Sequence, residues 1–203
     1  RVFGILKHLK INITNWHADD IEEFTANRDP KRDMGKRIIP FGKTLYIERT
    51  DFFDSEGPEG NKSDGKPPKG FKRLLPDGRV RLRYAYVLEC QEIVRNPETQ
   101  EPIELKCEYF PETRSGVTPE GMPRVKGIIH WVEASNGIPC TICQYDRLFS
   151  CEEPGKESGD FLKDINPESL TVLPGAIIEP SIADDVAKKL EEINKNLSSK
   201  AAA

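Results

Sequence analysis

At 203 residues the chain can form one large domain or two small ones, and 36% hydrophobic residues with a mean hydropathy of -0.58 favour two modest cores over one deep one. A formal net charge of -4 excludes a general nucleic-acid coat, so contact with a polyanion must come from a local patch. No apolar run approaches the ~20 residues of a membrane span. The opening RVFGILKHLK is too short and too charged for a secretory leader, and five scattered cysteines point to free thiols in a reducing, cytoplasmic setting.

Leu9 to Ile13 alternates with period two and predicts a half-buried strand. Residues 17–37 read as polar and turn-rich, with cations at Arg28, Lys31, Arg32, Lys36 and Arg37. Ile38 to Arg49 predicts a strand, a turn at Gly42 and a second strand with Leu45 and Ile47 on one face. Asp51 to Pro68, rich in Gly, Pro, Ser, Asp and Lys, predicts a mobile loop. From Val80 the alternation assigns Val80, Leu82 and Tyr84 to one face and Arg81, Arg83 and Ala85 to the other. Tyr86 to Cys90 continues this run, and Pro102 to Tyr109 is its hairpin partner across Asn96-Pro97. Arg124 to Val132 and Cys140 to Phe149 predict two more strands, separated by a turn at Asn136-Gly137. A helical turn is expected over Gly159 to Ile165, then a short strand over Leu170 to Leu173. Ile182, Val186, Leu190, Ile193 and Leu197 recur at helical spacing behind Ser181, a plausible N-cap. About ten short strands and one late helix make an all-β chain.

Support for catalysis is thin. Cys140-x-x-Cys143 is the one close pair of soft ligands, where zinc usually needs a second pair or nearby histidines. Strand alternation would also turn these two cysteines to opposite faces. His8, His17 and His130 are isolated in sequence, and no phosphate-binding glycine loop is present. Neither a catalytic residue nor a metal site is expected.

Lys62 to Arg83 carries eight Lys or Arg against two acids, with Phe71 among the cations. Cations neutralise phosphates, and Arg also reads base edges through its planar fork. Single-stranded RNA is commonly read by splayed bases on strand surfaces with Arg and aromatic partners. Arg81 and Arg83, two apart on a strand, would project roughly 7 Å from each other. The alternative from charge alone is a solvated strand face opposed by acids such as Glu48 or Glu89.

The ordered segments MGKRIIPF (34–41), YIERTDF, FKRL (71–74), VRLRYAYV (80–87), RVKGIIHWV (124–132), QYDRLF (144–149) and INPESL (165–170) resemble the C-terminal region of the glutaminyl-tRNA synthetase family, over roughly residues 1 to 181. The resemblance implies two consecutive small β-barrels of the type shared with a ribosomal 5S RNA-binding protein. Their boundaries would be 1–110 and 111–181, with strands shared between the barrels and a helix and tail at 182–203. It implies recognition of the anticodon loop of tRNA for glutamine, whose bases are splayed into separate pockets. Arg1 then falls at the middle base, Arg73 with Lys72 at the third, and Arg81 and Arg83 near the first base and its phosphates. Lys66, Lys69 and Lys31 would act electrostatically. The chain would hold no cofactor: ATP and glutamine would bind an N-terminal catalytic domain, since its H-I-G-H and K-M-S-K-S type signatures are absent here. Partners would be tRNA and that catalytic domain, with neither membrane nor DNA. Gly70 departs from the family, which has glutamine there. After GAIIEPSI (175–182) the family continues into further strands, where this chain turns into a helix. The competing functions are a freestanding RNA-binding or interaction module and a glutamyl-type relative.

Overall fold

The computed structural model describes residues 2–17, 20–58 and 65–201, with side chains up to residue 195. Its strands are β1 (Gly4–Ile5), β2 (His8–Ile13), β3 (Glu22–Asn27), β4 (Lys36–Phe41), β5 (Thr44–Glu48), β6 (Arg79–Leu82), β7 (Val87–Arg95), β8 (Pro102–Phe110), β9 (Ile128–Ile129), β10 (Val132–Glu133), β11 (Ile138–Tyr145) and β12 (Leu170–Ile178). Helix α1 (Ser181–Ala201) follows. The all-β expectation, with barrel architecture and a C-terminal helix, holds.

Seven strands form one curled sheet in the order β10-β5-β2-β8-β7-β6-β9. Its two edge strands are almost consecutive in sequence. β9 pairs with β6 at one end, β10 pairs with β5 at the other, and only His130 and Trp131 lie between them. Three Cα steps span at most ~11 Å, so the edges must curl toward each other. Trp131 fills the resulting interior with no exposed surface, packed near Phe41 and Phe3. Burial follows the alternation in β2, where Leu9, Ile11 and Ile13 face inward, and in β6, where Val80 and Leu82 do.

A second sheet, β1-β12-β11, adjoins the barrel, and β3 pairs with β4 as a two-stranded ribbon. β9 and β10, which follow residue 110, belong to the first sheet, while β1 at the start of the chain belongs to the second. The β3–β4 ribbon and the second sheet are clasped by a buried ion pair: the Arg37 guanidinium on β4 donates to Glu179 just after β12. Glu179 also accepts from the Phe3 amide at 2.7 Å and from the Ser181 hydroxyl. Each oxygen of this buried carboxylate thus has a donor, which such burial requires.

Several expectations need correction. Residues 17–37 contain β3, whose Phe24 and Ala26 are buried between charged and polar neighbours. Asp51 to Pro68 is not loose throughout: Phe52, Phe53 and Asp54 are buried, and Phe52 bridges Leu74. β6 ends at Leu82, because Tyr84 takes φ 69° and Ala85 is enclosed, so Arg83 and Ala85 do not share a strand face with Arg81. Arg124 to Val132 yields only the two-residue strands β9 and β10. The strand expected over Leu170 to Leu173 runs on to Ile178. Ser181 lies inside α1 and donates to Glu179 rather than capping an amide. The start of α1 is tied to the β3–β4 ribbon by Arg28, which pairs with Asp184 and Asp185. Beyond it Val186, Leu190 and Ile193 lie exposed.

Candidate nucleic-acid interface

Two recesses open side by side on the barrel. The larger, about 720 Å³, is lined by Lys69, Phe71, Lys72, Arg73, Lys126 and Gly127 among others. The smaller, about 340 Å³, is lined by Phe3, Arg37, Arg83, Tyr84 and His130, with Val2 and Pro30 at its edge. Ile128 belongs to both and is 55% exposed. It stands as an apolar ridge between two cationic hollows, because β9 lies parallel to β6 with Ile128 opposite Arg81.

The segment carrying Lys69 to Arg73 has no regular structure of its own and is fixed at both ends. Upstream, the Phe71 amide donates to the Pro68 carbonyl at 2.9 Å, and Phe71 meets Phe53 edge to face. Downstream, Leu74 is fully buried, donates to the Asp51 carbonyl and accepts from the Phe53 amide. In between, the backbone lies directly against Gly127: a Cβ there would sit 1.9 Å from the Lys72 carbonyl oxygen. Only glycine permits that approach, and it is what brings Lys126 beside Lys72.

Arg73 is half-exposed and oriented from below. Its Nε meets an Asp51 carboxylate oxygen at 2.8 Å, and Nη1 donates to the Thr50 carbonyl at 3.3 Å. Burial pushes the Asp51 carboxyl above its ordinary range, against the opposing pull of Arg73 and His130. The Arg73 fork is therefore held at one edge with the remainder facing the recess. Lys69 and Lys72 are exposed beside it, and Lys66 is exposed on the approach.

Arg83 and Arg81 differ sharply. Arg83 is exposed at the smaller recess, with its guanidinium carbon 6.0 Å from the Tyr84 ring centre. Its backbone is pinned: the amide donates to Ile129 and the carbonyl accepts from the Trp131 indole. Arg81 is half-buried and donates to the carbonyls of Thr113 and Val117, each at 2.8 Å. Thr113 lies within the 3-10 segment Pro111–Gly116 and Val117 directly follows it. Of the two arginines that alternation paired, one borders a recess and one ties the barrel to a neighbouring turn. The acid that opposes this strand is Glu89, and it pairs with Arg79.

Lys31 is exposed in the β3–β4 turn, where its amide donates to Asp29. The adjacent Pro30 borders the smaller recess. Arg1 lies outside the described residues, as does Lys62 of the basic stretch; Val2, next to Arg1, borders the smaller recess. Lys126 and Ile128 were not singled out from sequence, although the spacing R-x-K-G-I placed them beside a glycine. His130 bonds the Gly4 carbonyl at 3.0 Å through Nε2. Cys140 and Cys143 lie on β11, and among the described residues no group of three or more His, Cys, Asp or Glu side chains could hold a metal ion. No helix among them is long and apolar enough to cross a membrane.

The arrangement provides cations at the rims, aromatic and aliphatic surfaces between them, and forked donors with fixed orientation. Such a surface takes a single strand with its bases turned out. Residues 1–110 match the family described as "tRNA synthetases class I (E and Q), anti-codon binding domain", and residues 128–190 match a second family model with the same description. A glutamine–tRNA ligase of Pseudomonas putida is 44% identical over 185 residues, covering 90% of this chain and 30% of that protein. The glutamine–tRNA ligase of Stutzerimonas stutzeri is 44% identical over 186 residues, covering 91% of this chain and 31% of that protein. The chain thus spans about 30% of the length of these relatives.

Proposed function

We propose, from the premise that the chain belongs to the family of anticodon-binding domains of class I tRNA synthetases (E and Q), that it grips the anticodon loop of tRNA for glutamine on behalf of a glutamine–tRNA ligase. The observation that carries this reading is the grouping of Lys69, Lys72, Arg73, Lys126 and Arg83 around two recesses with an apolar ridge between them. Adjacent hollows suit successive unstacked bases, and the rim lysines suit the phosphates that join them. In this reading Arg73, with Lys72, reads one base in the larger recess. Arg83 serves the smaller one, Arg1 is assigned to the middle base by the family resemblance alone, Arg81 braces the strand that presents Arg83, and Lys66, Lys69 and Lys31 supply electrostatic attraction. The chain contributes recognition, while ATP-dependent attachment of glutamine takes place on a catalytic domain of the parent protein. The proposed setting is cytoplasmic, and the barrel regions divide at 1–110 and 111–181 with shared strands.

The test is binding to purified tRNAs across a salt series. Neutralising about four to six phosphates of a single-stranded loop gives a log–log slope of roughly -3 to -4. tRNA for glutamine should bind more tightly than tRNA for glutamate, and Arg73→Ala should cost ~1–3 kcal/mol on the cognate tRNA and blur one anticodon position. Salt-independent binding would overturn the reading, and a preference for tRNA for glutamate would move the chain to the glutamyl branch.

A further inference from the structure

Cys90 on β7 and Cys107 on β8 face each other in the barrel wall, and no part of the recognition surface uses them. Their backbone groups point away from each other. The Cys90 amide donates outward to Gly78, and the Cys107 carbonyl accepts from Thr14 on the opposite side. The two residues therefore form a non-hydrogen-bonded antiparallel pair, the closer of the two kinds, with Cα atoms ~4.5 Å apart. That separation falls within the range of about 4.4–6.8 Å that a disulfide spans without backbone movement. The neighbouring Cys107 thiol holds the Cys90 thiol below its ordinary value, while the influence of Cys90 and burial push Cys107 up; the Cys90 S–H itself is directed at the Glu92 carbonyl. A register irregularity follows Cys90 at once, with Gln91 left out of the cross-strand pairing. It interrupts the ladder where a depression of about 200 Å³, bordered by Asp77, Gln91, Glu92 and Arg95, reaches Cys90.

We infer that Cys90 and Cys107 form an oxidation site at which a small peroxide converts the facing thiols into a cross-strand disulfide. The Cys90 thiolate attacks one peroxide oxygen and the O–O bond breaks, leaving a sulfenic acid on Cys90 and hydroxide that takes a proton to become water. The Cys107 sulfur then attacks the Cys90 sulfur, the S–O bond breaks, and the hydroxyl departs with the Cys107 proton as a second water. Two thiols are oxidised and one peroxide is reduced to two waters. Cys90 is the site of first attack because it alone of the pair borders the depression, which suits an oxidant of peroxide size. The bridge clasps β7 to β8 beside β6, whose end presents Arg83.

The test uses the full chain with the other three cysteines replaced (Cys140→Ser, Cys143→Ser, Cys151→Ser), exposed to hydrogen peroxide and then measured by intact mass and by thiol titration in denaturant. Both thiols should disappear together, the mass should fall by two hydrogens, and dithiothreitol should restore both. Adding Cys107→Ser should replace that loss with a gain of one oxygen on Cys90. Peptide mapping of the unsubstituted chain gives a second readout, in which a linked Cys90–Cys107 peptide is expected. Oxygen gain without linkage when both thiols are present would overturn the inference. So would an unchanged thiol titre under peroxide that oxidises Cys143 and Cys151 of the unsubstituted chain.

Discussion

Strands β7 and β8 of the barrel enclose Val87, Leu88, Cys90, Leu105 and Cys107 almost completely, whereas β11 and β12 of the smaller sheet bury only Ala176. Leu170 and Val172, at strand positions that would be interior in the barrel, lie about half exposed. The barrel is held by its own apolar filling, while the smaller sheet is held at one end. There β12 pairs with β1, and Glu179 receives Arg37. Polar groups divide in the same way. In the barrel Asp54 is enclosed and forks onto Arg95, while Asp164 of the second region collects the Gly155 amide and the Ser158 hydroxyl at the surface.

The largest effect should come from the barrel interior. Trp131→Ala should cost about 3–5 kcal/mol in urea unfolding, since it empties the space between the two sheet edges and orphans the Arg83 carbonyl. A loss under about 1 kcal/mol would move the source of stability elsewhere. Next, Glu179→Gln leaves the Arg37 guanidinium enclosed without a counter-charge, at about 3 kcal/mol. Hydrogen exchange should then speed up over residues 138–178 while β7 and β8 stay protected; equal acceleration in both would erase the distinction between a filled and a clasped region.

Acid provides a third test. Burial alone would raise the Asp54 carboxyl, but the hydrogen bond and charge of Arg95, with the Glu56 and Gly57 amides, outweigh it and leave the group below its ordinary range. A depressed folded value means stability that is complete above the unfolded carboxylate range and is lost as pH falls through the folded value. Asp54→Asn should therefore flatten the decline in urea midpoint below about pH 4; an unchanged slope would remove Asp54 from the barrel's clasps. The smallest effect should be Val172→Ser, within about 0.5 kcal/mol, because that side chain already meets water. A loss above about 2 kcal/mol would mean that the smaller sheet has a core after all.

Period-two runs made β2, β5 and the β7–β8 hairpin legible, because each shows a continuous inward face. β3 escaped because Phe24 and Ala26 are its only buried apolar positions, and they sit among acids and turn residues. The cations were legible from charge density. Their grouping was not, since Lys126 reaches Lys72 only through the missing Cβ of Gly127, across more than fifty residues of chain. Alternation put Arg81 and Arg83 on one strand face, yet β6 ends at Leu82, and the carbonyls of Thr113 and Val117 occupy the Arg81 fork. Such engagement depends on a 3-10 turn that packs from outside the strand.

The parallel pairing of β9 with β6 is only two residues long, yet it sets how many compartments the surface has. With Ile128 opposite Arg81 and Ile129 opposite Leu82, the outward side chain divides the surface and the inward one seals the interior. A slip of one residue would exchange their faces, drawing the divider inside and merging two hollows into one trough. The number of hollows is thus encoded in register rather than in charge, and a variant could keep every cation and still lose the divider between them.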